Sequence, residues 1–455
     1  MDKILLKYNI TPRVLKADTV STVSVKGVDE STLLYDDVDY VVTISAKDDW
    51  KYKKDTEFVL DDRDIYTTIN CRAKDGVISF EHLFTGEHEW KINIKRVEDE
   101  KHVSAFHKKM WPHMFNDFFK GFEFSVYSLY EDLYEKMPFK GDLHMHTIGS
   151  DGLESARLTA AQYRKWGFDY ISITDHMLME PSLEAIEEYK EIPTDLKIFP
   201  GEEVHQQFPR GSFHMVNFNG KRSVNEILRN EPERAELEME KIAETIDLNN
   251  EEDRKELAWF KWVYDEIKKA GGIAIYPHPF WVIIDALNIR TSTSKEIYKR
   301  GYTDVYEILG GTCDKEHNRM QVQMYYDMCS KGVNLPIVAA TDSHSAINHG
   351  EKQFDQVWTI TFSENAEKIP ENILKGYSTA VDNYVVTDKN VYGDLRLVNY
   401  TWFLLQNYYE MHDELCFSAG QAIVRYVLGD KTQKDLIAAL ENEIKKFNDG
   451  FFGRR

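Results

Sequence analysis

Apolar and polar residues alternate with a period of two along parts of the first hundred residues. The clearest segments are "DYVVTIS" (39–45), "VISFEHLF" (77–84) and "WKINIKRV" (90–97), which charged or glycine-containing turns separate. In an extended strand successive side chains point to opposite faces, so this alternation buries one face and exposes the other. The pattern predicts antiparallel strands in a small β-sandwich-like domain, which occupies residues 1–125 together with an aromatic-rich bridge.

The pattern changes at Gly141, where continuous apolar segments alternate with helix-like segments. Strands that are buried on both faces and joined by helices are typical of a parallel sheet. Seven such units favour a barrel over an open sheet, so we predict an α/β barrel domain over residues 126–389. The seven segments are "GDLHMHT" (141–147), "DYISIT" (169–174), "IFPGEEV" (198–204), "GGIAIYPHP" (271–279), "DVYEIL" (304–309), "LPIVAATDSH" (335–344) and "VWTITF" (357–362).

Two further stretches favour helices. Residues 221–268 form a highly charged insertion, and we expect its charges to form a solvated face. A lid over the functional site is the alternative for this insertion. Residues 390–455 predict a carboxy-terminal helical segment.

Composition and charge restrict the partners of the chain. Its 455 residues carry a formal net charge of −21, whereas a nucleic-acid backbone needs a basic face, so we expect no nucleic-acid partner. No run approaches the roughly 18 apolar residues of a membrane span, so we expect no membrane partner and a cytoplasmic location. The four cysteines are scattered and predict neither a disulfide framework nor a cysteine-type zinc site. The oligomeric state stays unknown.

Almost every predicted barrel strand ends in a histidine or a carboxylate. His144 and His146 are two residues apart in one strand and therefore face the same side. The carboxyl ends of barrel strands lie on one rim, where active sites are built, and imidazoles and carboxylates are ligands for Zn, Mn or Fe. The candidate ligands are His144, His146, Asp151, His176, Glu203, His214, His278, Asp342 and His344.

The number of candidate ligands indicates how many ions the chain holds. One ion with an open position uses about three protein ligands, so nine donors suit two or three divalent ions. Metals about 3.5–4 Å apart can share a hydroxide that attacks phosphorus, which predicts a phosphoesterase acting on a small molecule. An amide or carbamate hydrolase on the same centre, and a non-enzymatic metal-binding module, are the alternatives.

Five motifs between Gly141 and about Asp382 resemble those of the PHP (polymerase and histidinol phosphatase) family of metal-dependent phosphoesterases. They are "GDLHMHTIGSDG", "ISITDHM", "FPGEEVH", "YPHP" and "VAATDSH". The resemblance implies a distorted seven-stranded (βα) barrel with a trinuclear centre at its carboxyl rim. The segment "VYEILGGTCDKEHNRM" further resembles a subgroup with an N-terminal β domain, which includes phosphoesterases and at least one amide or carbamate hydrolase.

The same resemblance implies a role for each site residue. Asp175 would orient a ligand, and Asp175, His176 and Asp342 would take part in catalysis. The implied ligand sets are His144, His146, Glu203 and Asp342 for one metal; Asp151, His176 and His344 for a second; and His214 and His278, with Glu203 bridging, for a third.

Three assignments stay open in the sequence. The usual spacing of the family selects Glu203, but the adjoining Glu202 leaves room for a shift by one residue. His205 would lie near the metals if its strand extends that far, and away from them if a turn comes first. Arg210 and Arg319 are candidates for binding the substrate phosphate, and a solvated role is the alternative for each.

Overall fold

The structure is a computed structural model, in which the chain is a mixed α/β protein of two units. The first unit comprises residues within 1–135, 399–412 and 443–455, and the second comprises residues within 136–398 and 413–442. The predicted domain boundaries near residues 125 and 389 stay predictions. The structure describes residues 7–48, 51–52, 63–64, 67–97, 121–208, 211–283, 285–311, 315–347, 355–384 and 388–454.

The described part of the first unit begins with ten strands and one short helix. Three strands form one sheet in the order β1-β3-β8, and five form another in the order β2-β10-β9-β4-β7. The elements are β1 (Tyr8–Thr11), β2 (Val14–Lys16), β3 (Thr19–Gly27), β4 (Asp39–Ala46), β5 (Lys51–Tyr52), β6 (Arg63–Asp64), β7 (Thr67–Arg72), β8 (Val77–Phe84), β9 (His88–Arg96), β10 (Phe122–Leu129) and α1 (Glu131–Tyr134).

Strands β4, β8 and β9 lie where the period-two alternation predicts them. Tyr40, Val42 and Ile44 are buried in β4 because every second side chain faces inward. Buried residues of both sheets join one hydrophobic core, to which β3 contributes Val23 and Val25. The predicted aromatic bridge runs from Trp111 to Tyr134; its first part, to residue 120, lies outside the described residues, and the rest falls on β10 and α1.

The second unit contains most of the remaining strands and helices. Its strands are β11 (Met137–Asp142), β12 (Tyr170–Ser172), β13 (Lys197–Phe199), β14 (Gly201–Phe208), β15 (Gly211–Phe218), β16 (Ile273–Tyr276), β17 (Val282–Ile283), β18 (Ala286–Leu287), β19 (Val305–Gly310), β20 (Ile337–Ala340), β21 (Val357–Ser363), β22 (Ser378–Asp382) and β23 (Asn390–Tyr392). Its helices are α2 (Ala156–Lys165), α3 (Glu180–Tyr189), α4 (Val224–Asn230), α5 (Pro232–Thr245), α6 (Glu251–Lys269), α7 (Thr291–Lys299), α8 (Lys315–Cys329) and α9 (Ile369–Leu374).

Three helices end the chain, as the sequence predicts for the carboxy-terminal segment. Within this segment, residues 399–412 and 443–455 belong to the first unit, and residues before 399 and from 413 to 442 belong to the second. The three helices are α10 (Leu395–Asn407), α11 (Tyr409–Val427) and α12 (Lys434–Phe452).

The strands of the second unit form mixed sheets, so the expectation of a parallel sheet is wrong for part of the unit. One sheet has the order β13-β12-β11-β21-β22-β23 and another the order β14-β15-β16-β19-β20. Strands β11 to β13 run parallel, as do β16, β19 and β20, but β14 and β15 form an antiparallel hairpin. Only two residues separate β14 from β15, too few for a crossover helix. The closed seven-stranded barrel stays a prediction.

The charged insertion folds into helices α4 to α6. The Asn250 side chain accepts a hydrogen bond from the Glu252 backbone N–H at 2.9 Å, which begins α6 by satisfying an otherwise unpaired donor. One face of α6 carries Trp259, Trp262 and Val263 into the hydrophobic core, while its charged residues lie mostly on the other face. The insertion therefore has a buried face as well as the predicted solvated one.

Candidate metal centre

The first two candidate ligands follow strand β11 and do not belong to it. Strand β11 ends at Asp142, which corrects the expectation that His144 and His146 lie within the strand. The chain nevertheless stays extended, because the His146 N–H donates to the Ser343 carbonyl at 2.8 Å and the Asp342 N–H donates to the His144 carbonyl at 2.9 Å. The loop after β11 is thereby paired with the loop after β20, and both deliver side chains to one place.

The carboxylate of Glu203 lies at the centre of the candidate site. It is fully buried inside β14, and among the described residues no backbone N–H or hydroxyl group donates a hydrogen bond to it. Five imidazole nitrogens surround it within 3.4 Å. Oε2 is 3.3 Å from His144 Nε2, 3.4 Å from His146 Nε2 and 2.7 Å from His176 Nδ1; Oε1 is 3.0 Å from His214 Nδ1 and 3.4 Å from His278 Nε2.

The structure brings all nine predicted ligands together in overlapping groups. In each group, the potential ligand atoms lie within 4.8 Å of one another among the described residues. The groups are His146, Asp151, His176 and His344; His144, His146 and Asp342; His144, Glu203 and His278; and His176, His205 and His214. The first group adds His146 to the implied set of the second metal. How the nine residues divide among ions stays a prediction.

The two adjacent glutamates of "GEEV" have different surroundings. Glu202 accepts hydrogen bonds from the backbone N–H groups of Val224 and Asn225 and from the side chains of Asn217, Ser223 and Asn225. It therefore fixes the amino-terminal end of α4, while Glu203 faces the histidines. Because neighbouring side chains in a strand point to opposite faces, only one of the two can reach the cluster. The position predicted from the family spacing is the one that faces it.

His205 belongs to the cluster because strand β14 continues to Phe208. Its Nδ1 atom is 3.2 Å from Nδ1 of His176, and its Nε2 atom is 3.2 Å from the Ser212 hydroxyl. Burial and the neighbouring His214 lower the pKa of His205 to about 4. The imidazole is therefore neutral at physiological pH, the form that can bind a metal. The sequence left the place of His205 open, because it depends on where the strand ends.

Asp175 orders the loop between His146 and Asp151. Its Oδ1 atom accepts hydrogen bonds from the backbone N–H groups of Thr147 at 2.8 Å and Ser150 at 3.0 Å, and the hydroxyls of both residues donate to the same carboxylate. The aspartate thus positions two candidate ligands through the backbone that carries them. The roles in orienting a ligand and in catalysis, which the family resemblance implies for Asp175, stay predictions.

Two buried carboxylates near the site were missed in the sequence. Asp142 accepts hydrogen bonds from the Thr341 backbone N–H at 2.9 Å and from the Tyr163 hydroxyl at 2.8 Å, and burial raises its pKa to about 6. Glu307 accepts the backbone N–H of His278 at 2.8 Å, and burial raises its pKa to about 7. Each is an acid within or ending an apolar strand, which is the signal that could have identified it.

The backbone of two candidate ligands has an unfavourable conformation. His278 has a φ angle of 35° and Asp342 one of 51°, in the left-handed region that side chains other than glycine rarely adopt. Such conformations cost about 1–3 kcal/mol each and persist only where the surroundings hold them. The Glu307 carboxylate holds the first, and the hydrogen bond to the His144 carbonyl holds the second.

The carboxylates dominate the electrostatics of the cluster. Burial lowers the pKa of His144, but Asp342 and Glu203 raise it further, to about 10. Burial also lowers the pKa of His344, which its hydrogen bond to Asp151 and the charge of Asp342 raise to about 9. The pKa of Glu203 stays well below its usual range, because the neighbouring His214 and His144 outweigh its burial. Without metal, His144 and His344 thus take up protons as counter-charges.

These pKa shifts predict how stability depends on pH without metal. The pKa values of His144 and His344 are raised above the unfolded value of about 6.5, so their contribution is fully present below pH 6.5 and is lost as pH rises through about 9 to 10. We expect the free energy of unfolding of chelator-treated protein to fall between pH 6.5 and 9.5. Metal-loaded protein should lack this loss, because its ligand imidazoles are already deprotonated. Urea titrations at several pH values measure the free energy of unfolding of both forms of the protein.

A variant separates this effect from other titrations. His344→Gln should remove the part of the decline that lies between pH 6.5 and 9, since glutamine binds no proton in this range. An identical decline in metal-free and metal-loaded protein, or one that His344→Gln does not change, would contradict the predicted linkage.

The two arginines predicted to bind substrate have no described contact with the cluster. Arg210 lies outside the described residues. Arg319 is an exposed residue of α8 that lines a small polar cavity with Asp382 and Tyr392. Both assignments stay predictions.

Among the described helices, none has both the length and the apolar character that crossing a bilayer requires.

Comparison with known proteins finds one short match in sequence. No model of a known family matches the chain. The DNA polymerase/3'-5' exonuclease PolX of Bacillus subtilis (strain 168) is 46% identical over 56 residues, which are 12% of this chain and 10% of PolX. The chain thus spans about a tenth of the length of this curated relative.

Comparison with solved structures finds more extensive matches. A two-domain protein of Bacteroides vulgatus ATCC 8482, containing a predicted PHP-like metal-dependent phosphoesterase, has a TM-score of 0.37 and 19% identity over 54% of this chain and 65% of its own. A protein of Bifidobacterium adolescentis ATCC 15703 assigned as a metal-dependent phosphoesterase has a TM-score of 0.35 and 18% identity over 52% and 96%. An amidohydrolase of Chromobacterium violaceum with bound SO4 has a TM-score of 0.31 and 16% identity over 47% and 89%. The resemblance of the chain to PHP-like proteins rests on its sequence motifs.

Proposed function

We propose that this chain is a metal-dependent hydrolase of the PHP family that cleaves phosphoesters. The observation that carries the proposal is the Glu203 carboxylate, which is fully buried and has five imidazole nitrogens within 3.4 Å. A buried carboxylate is costly unless positive charge compensates for it. A carboxylate that bridges divalent ions would compensate for this cost.

The donor atoms fit such ions chemically. Besides the Glu203 oxygens, Nδ1 of His144 and Nε2 of His214 are buried without a hydrogen-bond partner in the described part of the chain. Imidazole and carboxylate sets of this kind suit Zn, Mn or Fe. Two or three ions would be held by His144, His146, Asp151, His176, Glu203, His214, His278, Asp342 and His344. Bound there, they would supply Lewis-acid activation of a phosphoester and of water.

The protein itself supplies orientation and exclusion of water. Asp175 holds the loop that carries Asp151, and Asp142 with Thr341 joins the loops that carry His144 and Asp342. Buried supports of this kind keep ligand atoms in place without the cost of reorganisation during the reaction. Asp151 and His344 lie at the more exposed side of the cluster, which is where we place the entry of the substrate.

A substrate screen with metal-loaded protein tests the proposal. Protein reconstituted with Mn, Zn or Fe(II) should hydrolyse phosphomonoesters or phosphodiesters at least about 10²-fold faster than chelator-treated protein, because metal activation supplies several kcal/mol of stabilisation. Turnover only of amides or carbamates would favour the alternative hydrolase. Cleavage of a single-stranded oligonucleotide would show that the expectation of no nucleic-acid partner is wrong. Inactivity with ions bound would contradict the proposal and favour a binding module.

A further inference from the structure

A cavity of about 520 Å³ opens beside the candidate metal centre, between β14 and the helices of the insertion. His205 and Met177 both line it. His205 is within 3.2 Å of His176, and Met177 directly follows that histidine in the chain. The cavity therefore adjoins the cluster at His205, and its volume is typical of a site for a small molecule.

The wall opposite the histidines is largely apolar. Phe208 from β14 contributes an aromatic ring, which stacks on Phe213 with ring centroids 4.2 Å apart and is thereby fixed in place. Helices α4 and α5 provide the other apolar side chains. These are Leu228, Pro232, Ala235 and Met239.

The cations that line the cavity already have anionic or carbonyl partners. The Arg229 guanidinium donates to the Met177 carbonyl and lies 3.6 Å from Glu180. The Lys255 ammonium is 2.8 Å from Glu251. Two acids, Glu236 and Glu240, also line the cavity from the exposed surface of α5. Because both cations already have partners and the remaining charged groups are acids, the cavity does not favour an anionic group and offers mainly apolar contact area.

We propose that this cavity binds the alcohol part of the substrate, and that this part is an uncharged alkyl or aryl group. The inference rests on the proposed function, which puts the phosphate at the cluster; the adjoining cavity then receives the group that the phosphate esterifies. The substrate class is therefore an amphiphilic phosphoester with an apolar alcohol. The charged insertion thus forms a specificity wall through α4 and α5.

A series of n-alkyl phosphates tests this inference in turnover. Ethyl, butyl and octyl phosphates have leaving groups of nearly equal intrinsic reactivity, so differences in kcat/KM report contacts to the chain. Each methylene that becomes buried should raise kcat/KM by about 4-fold, which gives about 10³-fold or more between ethyl and octyl if all six additional methylenes are buried. Equal kcat/KM values along the series would overturn the inference.

Matched variants on one helix localise the effect. Met239→Asp puts a charge into the cavity wall and should remove most of the preference for octyl phosphate. Leu237→Asp is the control, since Leu237 is 52% exposed on the same helix and is not among the residues that line the cavity. Leu228→Asn is a second wall variant, should Met239→Asp fail to fold. A preference that survives both wall variants would contradict the assignment.

A binding measurement keeps the inference separate from the proposed function. Calorimetry with metal-loaded protein compares octylphosphonate with ethylphosphonate, neither of which can be hydrolysed as an ester. Tighter binding of octylphosphonate that depends on Met239, without turnover of any ester, would support the cavity and overturn the proposed hydrolase. Turnover of esters with no dependence on chain length, in kcat/KM or in binding, would support the proposed hydrolase and overturn the assignment of the cavity. Equal binding of both probes without turnover would overturn both.

Discussion

Replacing Glu203 with glutamine is expected to remove most of the bound metal and to lower hydrolysis by about 10³-fold or more. The amide loses the negative charge that five imidazole nitrogens share within 3.4 Å. It also points an N–H group, which cannot bind a metal, at the same nitrogens. Metal content per chain after desalting, together with kcat on the best ester of the screen, measures the loss.

The neighbouring acid provides a control with the same chemical change. Glu202→Gln should keep the metal content, because Glu202 faces the amino-terminal end of α4 and not the cluster. It should instead lower the free energy of unfolding by about 1–3 kcal/mol, since a buried acceptor of several hydrogen bonds is weakened. If Glu202→Gln lost metal while Glu203→Gln kept its normal metal content, Glu202 and not Glu203 would be the metal ligand. This outcome would contradict the proposed site.

Replacing His146 with alanine should have the second large effect, a loss of two ions per chain where the centre holds three. The imidazole of His146 belongs to two of the groups of ligand atoms, one with Asp151 and His344 and one with His144 and Asp342. Its Nε2 atom is 2.9 Å from Asp342 Oδ1, and its Nδ1 atom is 3.6 Å from Asp151 Oδ1. Metal analysis together with the decrease in kcat measures this effect, and we expect kcat to fall by at least about 10²-fold.

His344→Ala is the matched comparison for His146→Ala. His344 belongs to only one of the groups and lies nearer the solvent. It should therefore lose one ion and retain the others. Equal losses in the two variants would show that the two groups around His146 do not represent separate ions.

The sequence predicts much of the candidate site because each ligand follows or interrupts an apolar run. His278 lies two residues beyond β16 and His344 four residues beyond β20, so their placement follows from where these buried strands end. Alternation within a strand likewise separates Glu203 from Glu202. These are local properties of the chain, which a single sequence contains.

Other parts of the site depend on contacts between distant residues. The role of Asp142 depends on Thr341, which lies 199 residues further along the chain. The place of His205 depends on how far β14 extends, and the antiparallel pairing of β14 with β15 follows from a short connection and not from the apolar pattern. The cavity arises because α4 and α5 lie beside β14. Such relations are set by tertiary packing, which the periodicity of the sequence does not specify.

The gradation of burial across the cluster has a consequence for how fast ions would exchange. The Glu203 carboxylate is inaccessible to solvent, whereas the side chain of Asp151 is 54% exposed. An ion held near Asp151 and His344 would dissociate sooner than one held near Glu203 and His144, because water can replace its ligands without opening the fold. A chelator would accordingly strip the chain in stages. Protein from different purifications would then differ mainly in the metal occupancy of the outer position. Its specific activity would vary with that occupancy.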